Sequence, residues 1–142
     1  MEPTSSILRR FYTEVWEEER LDRIDGYFAT MGDGTRLVAE RQIDLADIHE
    51  WMNILFSLVR DVKVTFLHAL DSDDWASVFM KIKAVSRASG KPVELFQQIM
   101  SRQHNGVLIE SYPQFDLLRF FEQLDQLPED AYPLLMAGHR LT

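Results

Sequence analysis

The side chains best suited to chemistry in this 142-residue chain are four histidines, a set of carboxylates and a few arginines, and there is no cysteine among them. Without a thiol there is no thiolate nucleophile, disulfide or Cys-ligated zinc. Arg102 and His104 lie two residues apart, so in an alternating strand they share a face. There they could orient or polarise a carbonyl, or, beside a turn, simply stand in water. His68 shares a strand face with Val64 and Phe66 and reads either as a strand-end histidine with its own hydrogen bonds or as a pocket base. Glu110 and Tyr112 share a face of a later strand, which is either cavity wall or helix-covered core. His49, beside Glu50 in a helix, reads as surface, and His139 lies in the tail. No two histidines have a metal-binding spacing such as HxxxH, which predicts no metal. No GxSxG, GxxxxGK[ST] or GxGxxG word occurs, which argues against serine hydrolases, nucleoside triphosphatases and dinucleotide enzymes.

The elements that must hold these residues follow from periodicity. Behind the Thr4-Ser5-Ser6 cluster, which offers N-caps, Ile7, Phe11 and Val15 and again Leu8, Tyr12 and Trp16 recur at helical spacing. Leu21, Ile24, Tyr27 and Phe28 predict a short second helix, and Gly32 and Gly34 break the pattern. Asp44, with Asp47 in a capping-box-like place, opens a third helix along Leu45, Ile48, Met52, Leu55 and Val59. Trp51, Ile54 and Leu58 widen its stripe, so the helix should lie on a large surface. From Asp61 the period becomes two, and Asp71-Ser72-Asp73-Asp74 reads as a turn. In the run from Trp75 to Val85, Ala76, Val78, Met80, Ile82 and Ala84 take one face, and Trp75, Ser77, Phe79, Lys81 and Lys83 the other. A third strand runs from Val93 to about Arg102, and Asn105-Gly106 predicts a two-residue type I′ hairpin. That turn sets His104 opposite Val107, Arg102 opposite Ile109 and Ser101 opposite Glu110, with Ile99 across from Tyr112. Pro113 ends the fourth strand, and Phe115 to Leu127 returns to helical spacing before Pro128 and an apolar tail. Helices followed by a run of strands predict an α+β fold in which a strongly curved antiparallel sheet packs on the helices around an apolar pocket.

Hydrophobic residues make up 46% of the chain and charged residues 27%, the balance of a globular protein, and the length suits one domain spanning 1–142. A net charge of −8 and a pI near 4.9 repel phosphate backbones and anionic headgroups. No basic track offsets that field, so neither nucleic acid nor membrane is expected as a partner. The opening MEPTSSILRRF lacks the basic start and apolar run of a signal peptide, and no stretch approaches the roughly 20 apolar residues of a membrane span. A cytoplasmic protein is the expectation.

Two helices, a broken loop, a third helix and four antiparallel strands resemble the nuclear transport factor two-like cone. The opening ILRRFYTEVWEEERLDRIDGYF resembles the "fyxexwnxgdldaidelf" start of its SnoaL-like polyketide cyclase branch, and NGVLIESYPQFDLLRFFEQL resembles the branch's "dGkIvEyWxxxDxlgllxQlg" ending. The resemblance covers most of the chain. It implies a cone-shaped α+β domain, often homodimeric through its sheet, with a pocket for a small apolar or aromatic molecule, possible acid/base cyclase or isomerase chemistry and no cofactor. Asp116 falls on the branch's aspartate, which implies a general acid/base at the rim of an apolar pocket; just before a helical run, it could equally cap that helix. His104 joins it as a candidate catalytic residue, and Tyr12, Trp16, Trp51, His68, Met80, Arg102, Glu110 and Tyr112 are the candidate pocket residues. Where many catalytic members carry a Gly-Thr-His-type stretch, this chain reads Val85-Ser86-Arg87-Ala88-Ser89-Gly90, and TMGDGTRLVAE supplies no histidine either. The branch's aspartate and histidine dyad is therefore not assembled from matched positions. The alternative is a non-catalytic domain that dimerises through the sheet face bearing Trp75, Phe79 and Phe96.

Overall fold

A computed structural model describes residues 1–28 and 44–141. The predicted break at Gly32 and Gly34 lies outside the described residues. Helix α1 spans Thr4–Phe11 and continues directly into a π-helix, Tyr12–Glu17, so the single long helix expected there changes pitch halfway. No side chain caps α1. The Thr4 hydroxyl donates instead to the Asp74 carbonyl at 2.7 Å, and the Ser5 amide donates to Asp71 at 3.0 Å, which pins the N-terminal turn to a strand connection. A 3-10 helix, Leu21–Gly26, follows, and Arg23 reaches back from it to Glu14 at 3.0 Å.

Helix α2, Leu45–Leu58, starts on the expected box: Asp44 accepts from the Asp47 amide while Asp47 accepts from the Asp44 amide. Such a cap is worth about 1 kcal/mol. Only Met52, Leu55 and Phe56 of this helix are buried, and Trp51 and Ile54 stand exposed, so its wide apolar stripe is not wholly covered.

Four antiparallel strands pair in chain order: β1 Val59–Ser72, β2 Trp75–Ser86, β3 Pro92–His104 and β4 Val107–Phe115. The sheet is curved and open, with helices before and after it. Irregular pairing near Asp61, at Leu67 and at Ile109 inserts extra residues, and such bulges bend and twist the strands that carry them. The inner face of β2 is the expected one, Ala76, Val78, Met80, Ile82 and Ala84, all buried, and the strand packs against α1. β3 alternates just as strictly, with Val93, Leu95, Gln97, Ile99, Ser101 and Gln103 inward.

Asn105 and Gly106 both take positive φ, 52° and 83°, as a type I′ turn requires, and His104 pairs with Val107. Beyond that pair the expected register fails. Ile109 bulges out, so Arg102 faces Glu110 and Ser101 faces Ser111. Pro113 does not end β4 but sits within it, opposite Ile99, a place open to proline because β4 is an edge strand. Helix α3 is short, Leu117–Gln123, and a further helix α4, Ala131–Met136, carries the tail.

Candidate functional site

Between the opening helices, the first half of α2 and the inner faces of β3 and β4 lies a cavity of about 540 Å³. The volume is within the range of small-molecule pockets. Leu8, Phe11, Tyr12 and Trp16 form one wall; Ile48, Trp51 and Met52 form another; Gln97, Ile99, Leu108 and Ser111 form the sheet side. Its mouth lies where exposed residues join the lining: Trp51, 41% exposed, with Asp47, Gln114 and Leu117. A chain of rings runs inward from there, Phe115 to Trp51 at 6.0 Å, Trp51 to Trp16 at 5.8 Å and Trp16 to Tyr12 at 5.2 Å.

The π-helix sets the deep end of this wall. Its wider turn is marked by the Glu18 amide donating to the Thr13 carbonyl five residues back, and it carries both Tyr12 and Trp16 against the cavity. Glu17 at its end accepts from the Val64 amide at 2.9 Å, fastening the helix to β1. Burial pushes the Tyr12 phenol above its ordinary range, so it stays neutral. Two deeply buried polar atoms of the wall, Trp16 Nε1 and Gln97 Oε1, have no hydrogen-bond partner among the described residues. No lysine, arginine or histidine lines the cavity among the described residues; Asp47, at the mouth, is the carboxylate there. Nor do these residues bring together three side chains able to hold a metal ion, and no helix among them is long and apolar enough to cross a membrane.

No protein-family model matches the sequence, and none of the curated proteins does. Solved structures do. AclR, a proposed hydroxylase from Streptomyces galilaeus, superposes with a TM-score of 0.75 at 13% identity, over 95% of this chain and 88% of that one. A proposed polyketide cyclase from Acidithiobacillus ferrooxidans gives 0.71 at 20% identity, over 87% and 94%. A SnoaL-like polyketide cyclase from Agrobacterium tumefaciens gives 0.69 at 10% identity, over 87% and 99%. The chain has the fold of SnoaL-like polyketide cyclases.

Within this SnoaL-like fold the residues singled out from sequence separate into three groups. Tyr12, Trp16 and Trp51 line the cavity. Met80 is fully buried on the inner face of β2 but does not reach the cavity. The rest lie elsewhere, and the bulges explain much of it. Without the bulge at Ile109, Glu110 and Tyr112 would oppose Ser101 and Ile99 and point inward. With it, Ser111 takes the inward place and its hydroxyl meets that of Ser101 at 2.7 Å. Glu110 and Tyr112 turn to the outer face, where Arg102 Nε donates to Glu110 at 3.0 Å, the Tyr112 hydroxyl donates to Glu110, and Tyr112 stacks on Trp75.

His68 is displaced in the same way. The irregularity at Leu67 leaves Phe66 opposite Met80 but sets His68 opposite Phe79, outward and stacked on that ring at 6.4 Å. His104 stands exposed at the hairpin, its Nε2 3.3 Å from the side-chain Nδ2 of Asn105. Asp116 is the N-cap of α3, its Oδ1 accepting from the Arg119 amide at 3.0 Å, and it is not among the lining residues although Phe115 and Leu117 on either side are. Gln97 was not picked out from sequence, yet its parity was readable: it lies midway between Leu95 and Ile99, both inward.

Proposed function

We propose that the protein binds a small, neutral, largely apolar molecule, aromatic or carbonyl-bearing, in the cavity beneath the opening helices. The observation that carries this reading is an aromatic-walled space of about 540 Å³ with an open mouth in a fold shared with proposed cyclases and hydroxylases. Its lining favours a neutral ligand, since among the described residues it offers an anion no cationic partner and a cation only Asp47 at the mouth. Acid/base chemistry through Asp116 or His104 loses support from their placement, one spent on a helix cap and the other exposed at a turn. Ile48→Trp tests the reading, because Ile48 is a half-buried lining residue that can accept a larger ring near the mouth. The natural protein should bind N-phenyl-1-naphthylamine with enhanced dye fluorescence, and a folded Ile48→Trp variant should lose most of that signal. Equal binding by both would place the dye outside the cavity.

A second reading belongs to the opposite face of the sheet. Leu70, Phe79, Phe96 and Met100 are exposed there, and Phe79 stacks on Phe96 at 5.6 Å with 8° between the rings. An apolar patch of this kind favours association with a second copy of the chain. Because none of these residues lines the cavity, a homodimer of this form leaves the binding reading intact.

A further inference from the structure

β3 turns three polar side chains inward, and they fare differently. Ser101 pairs with Ser111. Gln103 donates to the Thr4 hydroxyl at 3.0 Å and to the Glu2 carbonyl at 2.6 Å, and it accepts from the Gly106 amide at 3.1 Å. Gln97, on the same strand and the same face, is 4% exposed and its Oε1 meets no partner among the described residues. Trp16, 3% exposed, holds its indole N–H equally unserved. Leaving a buried donor or acceptor unpaired costs free energy, and native structures tolerate few such groups. Among the described residues there are two, complementary in kind, and both belong to residues that line one cavity.

We propose that Trp16 Nε1 and Gln97 Oε1 form a donor and acceptor subsite that selects a neutral hydroxyl-bearing aromatic ligand. The indole N–H donates to an oxygen of the ligand, and the Gln97 amide oxygen accepts from its O–H. This rests on the cavity-binding reading above and adds a selection rule to it. Flat aromatic ligands suit the walls made by Phe11, Tyr12 and Trp51. Both atoms are already shut from water in the free protein, so a hydrocarbon of the same shape leaves them unpaired, whereas a hydroxyl pairs them, and that relief supplies the discrimination.

The test uses the full chain and three neutral probes of one shape: 2-naphthol, which donates and accepts; 2-methoxynaphthalene, which only accepts; and naphthalene, which does neither. Nitrogen–proton correlation spectra follow the indole N–H signals, with Trp16 assigned by its loss in Trp16→Phe. The expected result is that 2-naphthol binds about tenfold more tightly than naphthalene, that 2-methoxynaphthalene falls between them, and that 2-naphthol moves the Trp16 signal downfield. Gln97→Met should reduce the preference for 2-naphthol over 2-methoxynaphthalene to within about twofold. Equal affinity for all three probes overturns the subsite and leaves the cavity reading standing; failure of all three to bind overturns both. The probe series in the natural protein decides the matter even if Gln97→Met fails to fold.

Discussion

Burial in the cavity wall raises the Tyr12 phenol above its ordinary value of 10.0, and no other cause contributes. The consequence for stability has a definite sign. In the unfolded chain the phenol releases its proton near pH 10, whereas the folded protein holds it well beyond that point. Above pH 10 the unfolded state therefore binds fewer protons, and stability falls as pH rises. Each such group contributes a slope of about 1.4 kcal/mol per pH unit. Tyr27 adds to the same alkaline limb, its phenol pushed up to about 12 first by burial and then by its hydrogen bond with Glu14. Tyr12→Phe should leave the neutral-pH fold in place and make the fall in urea midpoint between pH 10 and 11.5 visibly shallower. An unchanged slope would mean that the phenol already ionises freely in the folded state. The same residue scale explains why the apolar wall was easier to read than its polar content. Tyr12 and Trp16 announce themselves by size and helical spacing, but whether Gln97 or Gln103 lacks a partner depends on residues about a hundred positions away, such as Thr4 against Gln103.

Helices and strands differed in how far their residues could be placed in advance. The α2 capping box, the inner face of β2 and the type I′ turn are local patterns, fixed by residues within a few positions of one another, and all three are present. A strand face is a cumulative count, and one inserted residue inverts everything beyond it. The insertions at Leu67 and Ile109 carry His68, Glu110 and Tyr112 to the outer face, and nothing in the local text marks either bulge. The π-helix is hidden similarly, since Tyr12 and Trp16 keep four-residue spacing whatever the pitch. Asp116 illustrates a residue whose two readings were both open until its element was known. As the N-cap of α3 it holds the Arg119 amide, so Asp116→Ala should lower stability by about 1 kcal/mol, while Asp116→Asn, which can still accept that bond, should cost little. Thermal unfolding measures both. Naphthylamine binding should be the same in the two variants and in the natural protein, and its loss in a folded Asp116→Asn variant would return the carboxylate to the site.

At the scale of the whole molecule, the sheet separates two surfaces of different character. Its inner face closes the core and the cavity, and its outer face meets no helix of the described chain over the rows that carry Leu70, Phe79, Phe96 and Met100. That outer face is graded. Its middle rows are apolar and aromatic and both ends are charged, with Arg102 at 3.0 Å from Glu110 beside the hairpin, and Lys81 at 3.6 Å and Lys83 at 4.0 Å from the Glu94 carboxylate at the other end. A second copy packed face to face would bury the stacked Phe79 and Phe96 rings at the centre and leave the charged rows at the rim, the arrangement that stable interfaces prefer. Phe96, 43% exposed and without a buried neighbour to disturb on its own face, is the place to probe. Phe96→Lys should leave the melting curve of the monomer nearly intact but convert the protein from dimer to monomer in sedimentation at micromolar concentration, since two added ammonium groups would be desolvated across the symmetry axis. The net charge of −8 gives a second control, because salt should strengthen the proposed dimer by screening the repulsion between two acidic copies. A natural protein that sediments as a monomer at every salt concentration would remove the dimer and leave the cavity as the molecule's one proposed binding surface.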